Sequence, residues 1–185
     1  MDVLTEPRKS WYLSLVDRTA RPRYDVFPIF ANPSAFSSLL ANINQHVEAH
    51  DKIVAIDAIG FVLGGALAAG SGKPFIPVRK IGKLPHPNSN LETRTFDDWD
   101  EKKGLEIKRD WINKGDRVLL VDEWIGEGFQ IKAALDMIET LGGTIVGIAC
   151  VYLHPDFESS IELAKKYKVF AANCLVCKYF ECRCT

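Results

Sequence analysis

No apolar run in the chain approaches the roughly 20 residues that a bilayer-spanning helix needs, so no membrane segment is expected. Excess charge of either sign is also missing. With 23 Lys and Arg against 24 Asp and Glu, the net charge is -1, and general attraction to nucleic acid or to an anionic membrane is not expected. The beginning, "MDVLTEPRKSWYLSLV", lacks a signal peptide's basic start and apolar core. The expected setting is therefore cytoplasmic, with neither nucleic-acid nor membrane partners. Internal repeats and low-complexity segments are absent as well. Cysteine is rare until the tail. Cys150, inside "IVGIACVYL", reads as a small core residue. The other four, Cys174, Cys177, Cys182 and Cys184, crowd into "CLVCKYFECRCT". In a reducing compartment this fits a metal site better than a disulfide framework. Thiolates so placed could close a tetrahedral zinc shell, although the spacing matches no established zinc motif, and a tail of free thiols is the alternative.

What is present is a chain of 185 residues, 47% hydrophobic, long enough for one domain with a real core. Apolar strands alternate with helices. Strands are expected at 52–57, 74–80, 116–122, 144–153 and 169–173, and helices at 33–50, 60–72, 130–143 and 156–168. The last helix carries acids early and lysines late, as the macrodipole favours. This alternation predicts an α/β fold, a mostly parallel sheet flanked by helices, with ligands at the carboxyl ends of the strands. Residues 84–115 are polar and poorly periodic, with "GLEIKRD" their only strand-like part. They are expected to form a flexible hairpin or lid. The irregular, aromatic segment before residue 32 is expected to form a hood over the same edge.

The stretch "VLLVDEWIGEGFQ" (118–130) carries the strongest chemical signal. It reads as a buried strand, two acids, and a glycine-spaced turn into a helix. Backbone N–H groups of such a turn normally hold a phosphate. A glutamate, Glu127, stands in the middle of it.

"VAIDAIGFVLGGALA", "PFIPVRKIGKLP", "LEI" and "RVLLVDEW" together resemble the type I phosphoribosyltransferases, and are most similar to the adenine branch. The likeness runs from about Tyr24 to about Ala172. "RKxGKLP" and "LEI" are specific to the adenine branch, and "VLLVDE" with its glycine turn is family-wide. The resemblance implies a single domain over 1–185 with the Rossmann-like type I fold. Its parts would be a hood segment at 1–32, a lid at 84–115 and the Cys-rich tail at 174–185. It implies a reaction in which phosphoribosyl pyrophosphate, with Mg²⁺, gives its ribosyl group to a purine base as pyrophosphate leaves. A homodimer is also implied.

Residue by residue, the resemblance assigns the ribose diol, or indirectly Mg²⁺, to Asp122 and Glu123. Adjacent acids at a strand end suit either ligand. The 5′-phosphate falls to Gly126, Glu127, Gly128, Phe129 and Gln130. There the family's two threonines are gone. Two unit charges about 4 Å apart repel by roughly 4 kcal/mol at an effective dielectric of 20, against about 1.5–3 kcal/mol for one charge-assisted hydrogen bond. Glu127 must therefore point to water, fill the anion nest itself, or favour the helix dipole from outside. The pyrophosphate falls to Ala58, Ile59, Arg79, Lys80 and Lys83. Ile59 replaces the family arginine, while three cations on one turn without nearby acids would favour an anion. Trp99 stands where the family's proton-transferring acid lies, with Asp98 and Asp100 beside it as catalytic substitutes. Arg23 and Tyr24 are the base-binding candidates in the hood. Three functions stay open: a purine phosphoribosyltransferase, an altered enzyme acting on another ribosyl compound, and a regulatory protein that binds a nucleotide, nucleoside or pyrophosphate without turnover.

Overall fold

The structure is a computed structural model that describes residues 11–20, 23–85, 87, 90–98, 101–154 and 157–173. The Cys-rich tail, with Cys174, Cys177, Cys182 and Cys184, lies outside the described residues, as do Trp99 and Asp100. Among the described residues no cluster of His, Cys, Asp and Glu is arranged to hold a metal, and no helix is long and apolar enough to cross a membrane.

A 3-10 helix (Trp11–Leu15) and a short helix α1 (Phe27–Ala31) precede α2 (Pro33–His46). Asn32 caps α2 by accepting a hydrogen bond from the Ala35 amide at 3.0 Å, and Pro33 occupies the first turn, where an N–H is not needed. The sheet is then built by β1 (Lys52–Ile56), α3 (Gly60–Ser71), β2 (Phe75–Lys80), β3 (Leu91–Asp98), β4 (Glu101–Lys108), β5 (Arg117–Val121), β6 (Trp124–Ile125), α4 (Phe129–Thr140), β7 (Thr144–Cys150), β8 (Tyr152–Leu153), α5 (Glu158–Lys166) and β9 (Val169–Ala171). Seven strands lie in the order β3-β4-β2-β1-β5-β7-β9, and β6 and β8 pair separately. The five strands from β2 to β9 are parallel, while β3 and β4 are antiparallel additions at one edge.

Alternate residues of β1 enter different cores. Val54 and Ile56 face the layer that holds α4 and α5, and Ile53 and Ala55 face the layer of α1, α2 and α3. Strands covered on both faces explain the unbroken apolar runs. Cys150 is fully buried in the first of these cores.

The expected secondary structure needs two corrections. Within the expected hairpin at 84–115, "GLEIKRD" is not the only strand-like part, because β3 and β4 pair in register over eight residues each. "LETRTFDD" hides its strand character behind polar side chains whose partners come from elsewhere. Buried Glu92 is paired with Arg94 and with Arg109 at 2.7 Å, and Arg94 reaches Asp136 and Thr140 of α4. The expected strand 144–153 is two strands. It breaks at Val151 so that β8 can leave the main sheet and pair with β6.

At the opposite edge of the sheet from the carboxyl ends, His50 is buried with its Nδ1 on the Glu48 carbonyl at 2.8 Å and its Nε2 without a partner among the described residues. Burial, assisted by the Lys73 and Arg117 charges, holds its pKa below the ordinary value of 6.5, while the Glu48 carbonyl and Asp51 oppose that shift. The unfolded chain therefore binds this proton more readily than the folded one. His50 is expected to cost stability progressively as pH falls from about 6.5 until its folded pKa is passed. Denaturant midpoints measured between about pH 7 and 5 should fall less for His50→Leu than for the parent. Identical slopes would contradict this.

Candidate active site

Strand order reverses between β1 and β5. The chain goes from β1 through α3 to β2 on one side, and returns to β5 on the other. Loops leaving the carboxyl ends of such neighbours diverge and open a crevice. The loop after β1 is Asp57-Ala58-Ile59-Gly60, with a cis Asp57–Ala58 peptide bond. A Cβ on Gly60 would sit 2.9 Å from Asp122 Oδ1 and 3.2 Å from both the Asp122 Cα and the Val121 carbonyl. Only a glycine lets the two loops approach so closely.

Asp122 and Glu123 are both 7% exposed, although carboxylates are seldom so deeply buried without partners. Asp122 accepts a hydrogen bond from the Glu123 amide at 2.9 Å. Burial, and then the neighbouring Glu123 carboxyl, hold the Asp122 carboxyl well above its ordinary range. The counter-charge comes from the hood, where Arg23 Nη1 lies 3.6 Å from Glu123 Oε1 with its own side chain more than half exposed. The pair is under-compensated, and it suits a ligand that brings hydroxyl donors or a hard cation.

Beyond the acids, β6 leads into the turn 126–128 and α4. Gly128 caps α4 at φ 77°, a left-handed conformation that favours glycine. The turn's carbonyls are held from behind, the Ser159 hydroxyl donating to Glu127 O and the Ser160 hydroxyl to Gly126 O at 2.6 Å. Its amides, from Gly126 to Gln130, have no acceptor within the described residues. Unpaired amides at a helix N-terminus are groups that can hold an anion. The Glu127 carboxylate takes none of these amides. Glu127 lines an adjoining cavity of ≈ 340 Å³ with Phe129, Lys132, Phe157 and Glu162. Of the three orientations open at the sequence level, occupation of the nest is thus excluded.

The basic turn differs from the expectation of three cations without nearby acids. Arg79 Nε lies 3.3 Å from Asp57 Oδ2, and Arg79 Nη1 donates to the Lys83 carbonyl at 2.8 Å. Lys80 and Lys83 are exposed and have no ion pair among the described residues. A second acid, Glu106, lies behind the turn, its carboxylate accepting the amides of Gly82, Lys83 and Leu84 at 2.9, 2.8 and 2.6 Å. Ala58 is exposed and Ile59 partly so, at the start of α3. Since β2, β1 and β5 are successive neighbours spaced about 4.8 Å apart, the basic turn and the acid pair stand roughly 10 Å apart across the crevice.

Asp98 lies at the hairpin tip and is paired with Lys103 at 2.7 Å. Beyond the β2 end the hairpin overhangs the carboxyl edge by about 13 Å, counting 3.3 Å per residue from Leu105 to Glu101. From the other side the hood brings Tyr24 edge-on to Trp124 at 5.8 Å and to Tyr152 at 5.3 Å. Trp124 and Tyr152 are stacked at 4.0 Å.

Residues 29–176 match the phosphoribosyl transferase domain. The chain belongs to the phosphoribosyltransferase family. It is 39% identical over 153 residues to an adenine phosphoribosyltransferase of Chlorobium luteolum, covering 80% of this chain and 84% of that one. With the enzyme of the same name from Chlorobaculum tepidum it shares 35% over 151 residues, covering 79% and 84%. Among solved structures, it superposes on adenine phosphoribosyltransferase of Saccharomyces cerevisiae, complexed with an imino-altritol bisphosphate and adenine, with a TM-score of 0.77. There the identity is 26%, and 87% of this chain and 96% of that one are covered.

Within the phosphoribosyltransferase frame, the structure brings Arg23 to Glu123 and Tyr24 to Trp124, close in sequence to the turn 126–130, and sets Arg79, Lys80 and Lys83 at and just after the end of β2, on the far side of β1. Asp98 is set apart on the overhanging hairpin. Sequence reading missed the aromatic platform of Trp124 and Tyr152, the serines behind the turn, and Glu106. For Glu106 a signal existed, an acid between Leu105 and Ile107 in an otherwise apolar triplet.

The Gly60–Asp122 contact generates a direct test. Gly60→Ala forces backbone to move and is expected to destabilise the fold by about 1–3 kcal/mol, read from denaturant unfolding. An unchanged midpoint would show that the two loops are not in contact.

Proposed function

We propose that this protein is a purine phosphoribosyltransferase of the adenine type. The observation that carries the reading is the open amide cradle at 126–130 directly following a buried acid pair at the switch point. The relatives named above add weight. The 5′-phosphate of phosphoribosyl pyrophosphate rests on those amides. Its ribose hydroxyls donate to Asp122 and Glu123, in part replacing the Arg23 contact. The pyrophosphate extends to Lys80 and Lys83, and the purine lies against the Tyr24 and Trp124 rings.

The bond from ribose C1 to pyrophosphate oxygen breaks, and a bond from C1 to a base nitrogen forms. Positive charge that develops on the sugar ring is stabilised by the nearby acids, and the departing negative charge by the lysines. The proton lost by the base goes to Asp98 at the hairpin tip, or to Asp100, two residues on in the sequence. The hairpin acts as the lid that keeps water out. Asp122 and Glu123 offer the buried oxygen donors that suit Mg²⁺, directly or through water. When bound, the ion neutralises part of the charge on the pyrophosphate. The expected setting is the cytoplasm. Assembly is as a homodimer, for which the exposed apolar side chains of Trp11, Phe27 and Val62 offer surface.

A second reading, a nucleotide-binding regulator, draws on Ile59 and on the engagement of Arg79 with Asp57 and Lys83, which leave fewer cations for pyrophosphate. Calorimetry with phosphoribosyl pyrophosphate and Mg²⁺, followed by an assay for conversion of labelled adenine to its nucleotide, separates the two. The transferase reading expects micromolar binding and turnover. Binding without turnover favours the regulator, and silence towards phosphoribosyl pyrophosphate overturns the transferase.

A further inference from the structure

The turn that joins β2 to the hairpin has three consecutive amides, those of Gly82, Lys83 and Leu84, pointing to one place. Successive N–H groups that converge in this way form a nest for an anion. Here the anion is part of the protein. The Glu106 carboxylate, 2% exposed, fills the nest with one oxygen on Gly82 and the other on both Lys83 and Leu84. Glu106 lies opposite Arg79 in the β2–β4 ladder, so the strand pairing itself delivers the carboxylate to the turn. Gly82 completes the turn at φ 82°. Two consequences follow. The backbone of the turn has no amide left in this nest for a ligand, so anion recognition there falls to side chains. The direction in which Lys80 and Lys83 leave the backbone is fixed by a buried group that the ligand never touches.

We infer that Glu106 is a positioning residue for the donor's pyrophosphate end, holding the turn 82–84 so that Lys80 and Lys83 face the crevice. This rests on the transferase reading above. The inference has a sign that a purely electrostatic role lacks. Glu106→Gln removes a negative charge behind two lysines, and by charge alone it should tighten anion binding. By geometry it should loosen it. A glutamine carbonyl can still accept from Lys83 and Leu84, but its NH₂ then faces the Gly82 amide, donor against donor.

The test is titration calorimetry with Mg²⁺-pyrophosphate as probe and ribose 5-phosphate as control, the latter reporting the 126–130 cradle. Glu106→Gln is expected to weaken pyrophosphate binding by about tenfold, the scale of one charge-assisted hydrogen bond, and to change ribose 5-phosphate binding less than about twofold. Gly82→Ala serves as the second variant. A Cβ there meets nothing within 4 Å, so it perturbs the turn through its backbone conformation alone, without touching the buried carboxylate. It should produce the same selective loss. Adding Lys83→Ala to Glu106→Gln should cost less than Lys83→Ala in the parent. Equal or tighter pyrophosphate binding by Glu106→Gln, or parallel losses for both probes, would overturn the positioning role. Failure of the parent protein to bind pyrophosphate would instead overturn the transferase reading on which it rests.

Discussion

Two adjacent carboxylates held almost out of water, Asp122 and Glu123, set the terms for the rest of this molecule. Burying them together is unfavourable, through lost hydration and through mutual repulsion. The fold tolerates this because β5 is sealed in the sheet centre between β1 and β7, and because Gly60 lets the neighbouring loop close over Asp122. A site built this way is poised for a ligand that donates hydrogen bonds or brings positive charge. The same strand end feeds directly into a turn whose amides want negative charge. An object that offers hydroxyls beside a phosphate satisfies both demands at once, and a sugar phosphate is such an object.

Around that centre, several charged groups of the site already have a protein partner. Arg23 lies by Glu123, Arg79 by Asp57, and Glu106 fills the nest of the basic turn. Ligand binding is then an exchange of partners rather than the filling of bare charges, and only the surplus over these internal contacts appears as affinity. Among the described residues, Lys80 and Lys83 stand outside this pairing. They are the cations most readily given to an anion, which is why the group that orients them matters. One oxygen of Asp57 remains buried without a hydrogen-bond partner among the described residues.

The central architecture was legible in the residues. The apolar runs of β1, β2, β5 and β7, with helices between them, demanded a parallel sheet covered on both faces, and the acids and glycines after β5 pointed to its carboxyl edge as the candidate site. The hairpin was less legible. β3 is polar because Glu92 is neutralised by Arg94 and Arg109 and tied through Arg94 to α4, and no local pattern announces a partner 42 residues away. Distance in sequence likewise hid the Arg79–Asp57 pair, so the turn looked more cationic than it is. The fate of Glu127 was undecidable from the sequence, because its surroundings come from α5, which supplies Ser159 and Glu162, and from Phe157 just before it. Nothing near Trp124 in the sequence announces its stacking partner, because Tyr152 is brought to it only when β8 leaves the main sheet and pairs with β6.

The account stands on one placement: a ribose phosphate bridging the acid pair and the amide cradle. A crystal structure of the protein soaked with ribose 5-phosphate tests it most directly. The account predicts phosphate oxygens hydrogen-bonded to backbone amides within 126–130, and ring hydroxyls on Asp122 and Glu123. A phosphate found instead on Lys80 and Lys83, with the acid pair untouched, would contradict it.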